Sequence, residues 1–385
     1  MALTDEKAVL ILGAGVSAPF NVPLGGQMID AIREQIRFER PSLGSGKSRG
    51  DMGNLVGQAH SSHKVFMSIP IHATVGLQPH NIDGDRFNEN FNGAIRELEN
   101  LAARLDGQTS ETIDDFIVQN DSLSHLAKMA VAAIIFSRCY ELDAFGHQVV
   151  PKSLDRRYLG HLFPADVLEE RPTCNQRNWV HHLINIVRNH RRIHPSDGHK
   201  IQIVTFNYDT ILEYVLDQQF ANTDFEHGNW RKWIDIRHMH GACGPIEVIR
   251  GRPLNEIVRE WASGIHVVND KSDPPKEICD ERESARQSIF RATQIHCAGF
   301  SFADSNVELL GLHTKRGGSM NYCNYDANVG VKMSAEKCGI GKRSSAAIES
   351  DVRPKLRVIE NSNVDRRPLE VADWFKIGFA GALPG

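Results

Sequence analysis

Ala8-Val9-Leu10-Ile11-Leu12-Gly13-Ala14-Gly15-Val16-Ser17-Ala18 is the stretch on which the fold turns. Residues 8–12 form a continuous apolar run, as a strand buried on both faces requires, and glycine follows at once. From Gly13 the sequence matches the G-x-G-x-x-G/A dinucleotide fingerprint, whose glycines allow a tight turn and let main-chain amides approach a pyrophosphate at a helix N-terminus. The same residues also suit a plain strand-to-helix turn. Pro19 and Pro23 interrupt the long helix that a dehydrogenase places next, and no second strand follows to carry an acidic residue to the ribose. The expectation is a phosphate cradle of another type. Gly46-Lys47-Ser48 ends like a P-loop, but Pro41 stands where its first glycine is required, so it reads as a surface loop.

Residues 27–200 carry mainly helical signals. Phe87, Phe91, Ile95, Leu98, Ala102 and Leu105 recur at helical spacing before Gly107, a C-cap residue. A second helix is expected from about Ser122 to Tyr140, and a third with Trp179, Leu183, Ile186 and Val187 on one face and the basic tail Arg188 to Arg192 at its end. Beyond residue 200 the pattern changes to β-rich runs that end in polar loops: IQIVT before Asn207, WIDIRHMH before Gly241, TQIHCA before Gly299 and LRVIE before Asn361. This order predicts an α/β fold, a Rossmann-like doubly wound parallel sheet with a large helical insertion. Residues 1–30 and 200–385 would form the sheet domain and 31–199 the insertion. Residues 41–86 and 313–353, rich in Gly and Ser without periodicity, read as loops.

Ligands of such sheets sit beyond the carboxyl ends of the strands, where the distinctive polar residues fall. Asn207 offers an uncharged amide for ribose hydroxyls or a water, while Asp209 also fits a helix N-cap. His238 and His240 lie two apart, and strand alternation places them on one face. No nearby Cys or carboxylate completes a metal set, so no metal is expected, and His240 is the one placed for proton transfer. Gly299 admits close backbone approach and Ser301 can bond a phosphate or ribose oxygen. Asn361 suits a second ribose or a turn.

The 385 residues carry a net charge of -4, so no overall basic field draws the chain to nucleic acid or to an anionic membrane. The longest apolar run, Met129 to Phe136, is far short of the roughly 20 residues that span a bilayer. The N-terminus lacks signal-peptide character, and the 7 cysteines form no C-x-x-C pair. Reduced thiols and a cytoplasmic location are expected.

GAGVS, TFNYD, HMHG and GFSFAD, in that order, with TIDDF at residues 112–116, resemble the sirtuin superfamily, in particular its bacterial branch of anti-phage, NAD-depleting proteins. The resemblance implies that Gly13, Ala14, Gly15 and Ser17 bind the phosphates of NAD, with Pro23 in the same binding loop, and that Asn207 and Asp209 hold the nicotinamide ribose. It further implies that His240 is the base and that Gly299 and Ser301 line the adenosine side. Protein-deacylating sirtuins carry two C-x-x-C pairs that hold a structural zinc, and none occurs here, which argues against lysine deacylation. Asn21 replaces the family's glycine before the proline, and asparagine also tolerates positive φ.

The implied function is hydrolysis of NAD to nicotinamide and ADP-ribose, in an abortive-infection role. Alternatives are an NAD-dependent deacylase and a catalytically silent NAD or ADP-ribose sensor within a larger complex. Family precedent implies a homo-oligomer and a separately encoded partner such as a HerA-type ATPase or an Argonaute. A constitutive NAD hydrolase would kill its host, so the isolated chain is expected to be held at low activity and switched on by assembly.

Overall fold

The computed structural model describes residues 8–20, 22–43, 84–107, 112–142, 149–151, 179–193, 200–221, 229–244, 254–270, 273–314, 319–323, 338 and 355–358. Its strands are β1 (Ala8–Leu12), β2 (Tyr140–Leu142), β3 (Val149–Pro151), β4 (Ile201–Thr205), β5 (Ile234–His238), β6 (Gln294–Ala298), β7 (Ser319–Cys323) and β8 (Lys355–Val358). Six of them form one sheet in the order β5-β4-β1-β6-β7-β8, every pairing parallel, while β2 and β3 make a small antiparallel hairpin. The fold is therefore mixed α/β. Counted within the sheet in chain order, the strands run 3-2-1-4-5-6, an order compatible with Rossmann-like architecture. The reversal of winding falls between β1 and β6.

Strand β1 is central, and its five residues are all buried. Alternation sends Leu10 and Leu12 into one core cluster with Ile201 and Ile203, and Val9 and Ile11 into a second with Val204, Ile295 and Cys297. Helices cover both faces. The first cluster takes in α1 (Gly25–Leu43), α2 (Gly84–Asp106), α3 (Ile113–Gln119), α4 (Asp121–Cys139), α5 (Trp179–Ile193), α6 (Ile211–Ala221) and α7 (Leu254–Ser263). The second takes in α8 (Lys276–Arg291) and α9 (Asp304–Leu310). The helices between β1 and β4 thus share one continuous core with the sheet.

The helical expectations hold in detail where the residues are described. Leu98 and Leu105 of α2 are buried, and Gly107 closes the helix by donating to the Ala103 carbonyl at 3.2 Å. Met129 to Phe136 lie inside α4 and are buried all round, which accounts for their uniform apolarity. Among the described residues no helix is long and apolar enough to cross a membrane.

Two expectations need correction. The segment 313–353 is not all loop, since Ser319–Cys323 pairs with both β6 and β8. Only Met320 and Tyr322 alternate in it, too short a pattern to show as a strand. As Pro19 and Pro23 lead one to expect, no long helix follows the glycine loop directly. The chain makes 3-10 turns at Ala14–Val16 and Ala18–Phe20, and α1 starts only at Gly25, after both prolines. Nor is 41–86 all loop, since 41–43, Pro41 among them, end α1 and 84–86 begin α2, while Asn361, Asn21, the Gly46-Lys47-Ser48 stretch and the rest of that segment lie outside the described residues.

Candidate functional site

The loops after β1 and β6 meet at the point where the winding reverses, and glycine is demanded there by contact. A Cβ on Gly13 would stand 2.4 Å from the Gly299 carbonyl oxygen, and one on Gly15 would stand 2.7 Å from the Gly299 Cα. Gly299 itself has φ +61, and its Cβ would lie 2.6 Å from the Gly15 Cα. The amides of Gly13 and Gly15 donate to the Ala298 and Gly299 carbonyls at 3.0 and 3.2 Å. Those of Val16 and Ser17 close the turn onto Gly13 and Ala14 at 3.1 and 3.0 Å. The fingerprint glycines therefore lock two loops together, and four of the loop's amides are engaged within the fold.

Ser17 points away from that lock into a buried polar chain. Asn207 Nδ2 donates to Ser17 Oγ at 2.8 Å, and Ser17 Oγ donates to Asp209 Oδ2 at 2.7 Å. The other Asp209 oxygen accepts from the Ile211 amide at 3.2 Å, so Asp209, one residue ahead of the N-cap position, satisfies the first free amide of α6. Burial pushes the Asp209 carboxyl above its ordinary range, against the hydrogen bonds from Ser17 and Ile211. Since the Asn207 amide nitrogen is spent on Ser17, its oxygen is left as a buried acceptor without a hydrogen-bond partner among the described residues.

His238 closes this group from below. Its Nδ1 is 3.1 Å from the Asn207 main-chain oxygen and its Nε2 is 2.6 Å from Glu213 Oε1. Both partners can only accept, so the ring must carry both protons. Burial opposes that charge and the Glu213 carboxylate overcomes it, raising His238 to about 9. Leu12, Val16, Ser17, Phe20, Trp179, Thr205, Asn207, Asp209, Ile211, Leu212, Glu213 and His238 bound a cavity of about 10 Å³, room for one water.

His240 has a different setting from His238. Strand β5 ends at His238 and the chain turns, so alternation does not carry across to His240. Gly241, at φ +69, makes that turn possible, because a Cβ there would stand 1.9 Å from the Gly264 carbonyl. The His240 ring packs edge-on to Phe206 and against Tyr208, with centroids 5.2 and 5.6 Å away. Burial, and then Arg282, lower its basicity, while Asp114 and Asn306 favour its charged form. Among the described residues, neither ring nitrogen has a partner at hydrogen-bond geometry. Asp114 Oδ2 stands 3.6 Å from Nδ1, and its other oxygen accepts from the Tyr208 hydroxyl.

The sequence-derived residues thus separate into groups. Ser17, Asn207 and Asp209 are joined by hydrogen bonds, Gly13, Gly15 and Gly299 interlock, and His240 lies next to Tyr208 and Phe206. Ser301 is exposed, and Pro23 sits half-buried before α1, outside the hydrogen-bonded group. Ala14 is half-buried at the start of the first turn. Sequence reasoning left out Glu213, and it quoted Thr205 only as part of TFNYD and Asp114 only as part of TIDDF. Phe302, fully buried at φ 56, was also unforeseen; it meets Phe300 and Tyr322 edge to face and braces the loop after β6. Among the described residues, no group of three or more His, Cys, Asp or Glu is placed to hold a metal. No family model matches the chain, and no curated protein matches it significantly.

Proposed function

We propose that the sheet is a Rossmann-like, doubly wound NAD-binding fold with a helical insertion over 31–199, and that the chain is a sirtuin-like NAD glycohydrolase. One observation carries this reading. At the carboxyl ends of adjacent strands, beside a glycine loop, the Asn207 side-chain oxygen and both His240 nitrogens are buried with no partner at hydrogen-bond geometry among the described residues. Buried polar atoms are rarely left so, and such an acceptor suits a hydroxyl or water brought by a ligand, while an imidazole kept neutral by burial can take a proton.

The chemistry asks for little more. As the C1′–N bond of NAD breaks, its electron pair passes to the pyridinium nitrogen and nicotinamide leaves neutral, so no general acid is required, unlike two-carboxylate glycosidases. Water adds to C1′ and gives its proton to His240, leaving ADP-ribose. Asn207 positions the water or ribose hydroxyl, and Ser17 with Asp209 fixes the Asn207 amide. Gly13, Ala14, Gly15 and Pro23 would border the phosphates, with Gly299 and Ser301 towards the adenosine.

A space of about 10 Å³ admits one water and not a nicotinamide riboside, and the loop amides are already engaged. Binding therefore requires the loops to part, which supports a chain held at low activity until it assembles. The proposed setting is cytoplasmic anti-phage defence, as a homo-oligomer with a partner such as a HerA-type ATPase or an Argonaute.

The test is to incubate purified protein with NAD, with and without an acylated peptide, and identify the products by mass. Nicotinamide and ADP-ribose are expected, and Asn207→Ala and His240→Ala should each lower turnover by about 10²-fold. Activity should survive a chelator. An acyl-ADP-ribose product would replace the reading with deacylation. Binding of NAD without turnover at any protein concentration would replace it with a sensor.

A further inference from the structure

We propose that Asp114, supplied by the helical segment between β1 and β4, is the positioning carboxylate of His240, facing Nδ1 and leaving Nε2 to take the proton. This rests on the reading of His240 as the base. Among the described residues, Asp114 is the carboxylate that comes within ion-pair distance of that ring, at 3.6 Å. The distance is longer than a hydrogen bond, as is common before a substrate arrives.

Four neighbours bear on the ring's charge. Arg282, from α8, lies on the unfavourable side, together with the burial of the ring itself; Asp114, from α3, and Asn306, from α9, lie on the favourable side. Tyr208, from the loop after β4, stays neutral, since burial and then Asp114 raise its hydroxyl well above its ordinary range. A buried imidazole beside a guanidinium cannot accept a proton without a compensating charge, and Asp114 is placed to supply it. A hydrogen on Nδ1 aimed at Asp114 also fixes the tautomer, so that Nε2 carries the lone pair.

The carboxylate is held for this task. It lies in the first turn of α3, which Thr112 caps by accepting from the Asp115 amide at 3.2 Å, and Ile113 and Phe116 on either side are buried in the core. Tyr208 donates to one Asp114 oxygen, and the other faces His240. Asp114 is about one-third exposed, so a purely structural role would be confined to its bond with Tyr208.

The test measures the His240 titration by NMR on histidine-labelled full-length chain, with His240→Gln used to assign the signal, alongside the pH profile of NAD turnover. Asp114→Asn should move the His240 titration, and with it the acid limb of the rate profile, to lower pH. It should also lower kcat by roughly 10²-fold with KM for NAD little changed. Tyr208→Phe, which removes the structural bond alone, should leave the titration nearly in place. An unmoved titration in Asp114→Asn, or an equal shift in Tyr208→Phe, overturns the proposal. A shifted titration in a chain that cleaves no NAD upholds the Asp114–His240 pairing and removes the NAD reading instead.

Discussion

At the scale of the residue, His238 shows how a bland sequence feature becomes a structural charge. Its two hydrogen-bond partners are both acceptors, so the folded state holds the proton up to about pH 9 while the unfolded chain releases it near 6.5. A raised folded-state value means that this contribution to stability is full below about 6.5 and is lost as pH rises through about 9. The melting temperature should fall across that window, and His238→Gln should remove the fall; an unchanged pH slope in the variant would show that the pair with Glu213 is not what titrates. The glycines permit a second contrast. Gly299→Ala brings both a disfavoured φ and a backbone clash, and should cost about 3 kcal/mol in chemical denaturation, whereas the exposed Ser301→Ala should stay within about 0.5 kcal/mol. If Gly13→Ala unfolds at the wild-type denaturant concentration but binds NAD weakly, its glycine serves the phosphate and not the lock.

Elements differ in how far they can be read before they are seen. β1, β4 and β6 were legible because Val, Ile and Leu runs bounded by Gly or Asn announce strands covered on both faces, and α4 because its eight apolar residues had to be buried. β7 was not legible, since Ser319 and Asn321 interrupt its apolar positions, and a strand so short is recognised only by the neighbours it pairs with. The site divides in the same way. Ser17, Asn207, Asp209 and His240 sit at strand ends and could be picked out by position. Asp114 lies 94 residues from the tyrosine that holds it, and Glu213 looks like an ordinary helix residue until His238 is beside it. Helix α3, at 7 residues, is too short to persist by itself and relies on core packing and its cap. Thr112→Ala should therefore lower stability by about 1 kcal/mol, measured as a shift of the urea midpoint at constant slope. A variant as stable as wild type would show that packing of Ile113 and Phe116 alone holds the helix.

For the whole molecule, one core cluster joins the sheet to the helices of residues 25–193. Heating should give a single cooperative transition with equal calorimetric and van't Hoff enthalpies, and two resolved transitions would mean that the helical part folds as a separate body. The interlocked loops and the one-water cavity further predict that NAD consumption per chain rises with protein concentration, as assembly favours the open arrangement. A rate per chain independent of concentration would rule out control by assembly. The central place of β1 has a consequence for how the chain is made. Its hydrogen-bonding partners are strands that begin about 190 and 290 residues later. At ribosomal speeds the first partner emerges roughly 10–40 s after β1 does. For that interval the five most apolar consecutive positions of the sheet have no native neighbour, so the yield of folded protein in a cell is set during translation, by whatever shields residues 8–12, as much as by the stability of the finished fold.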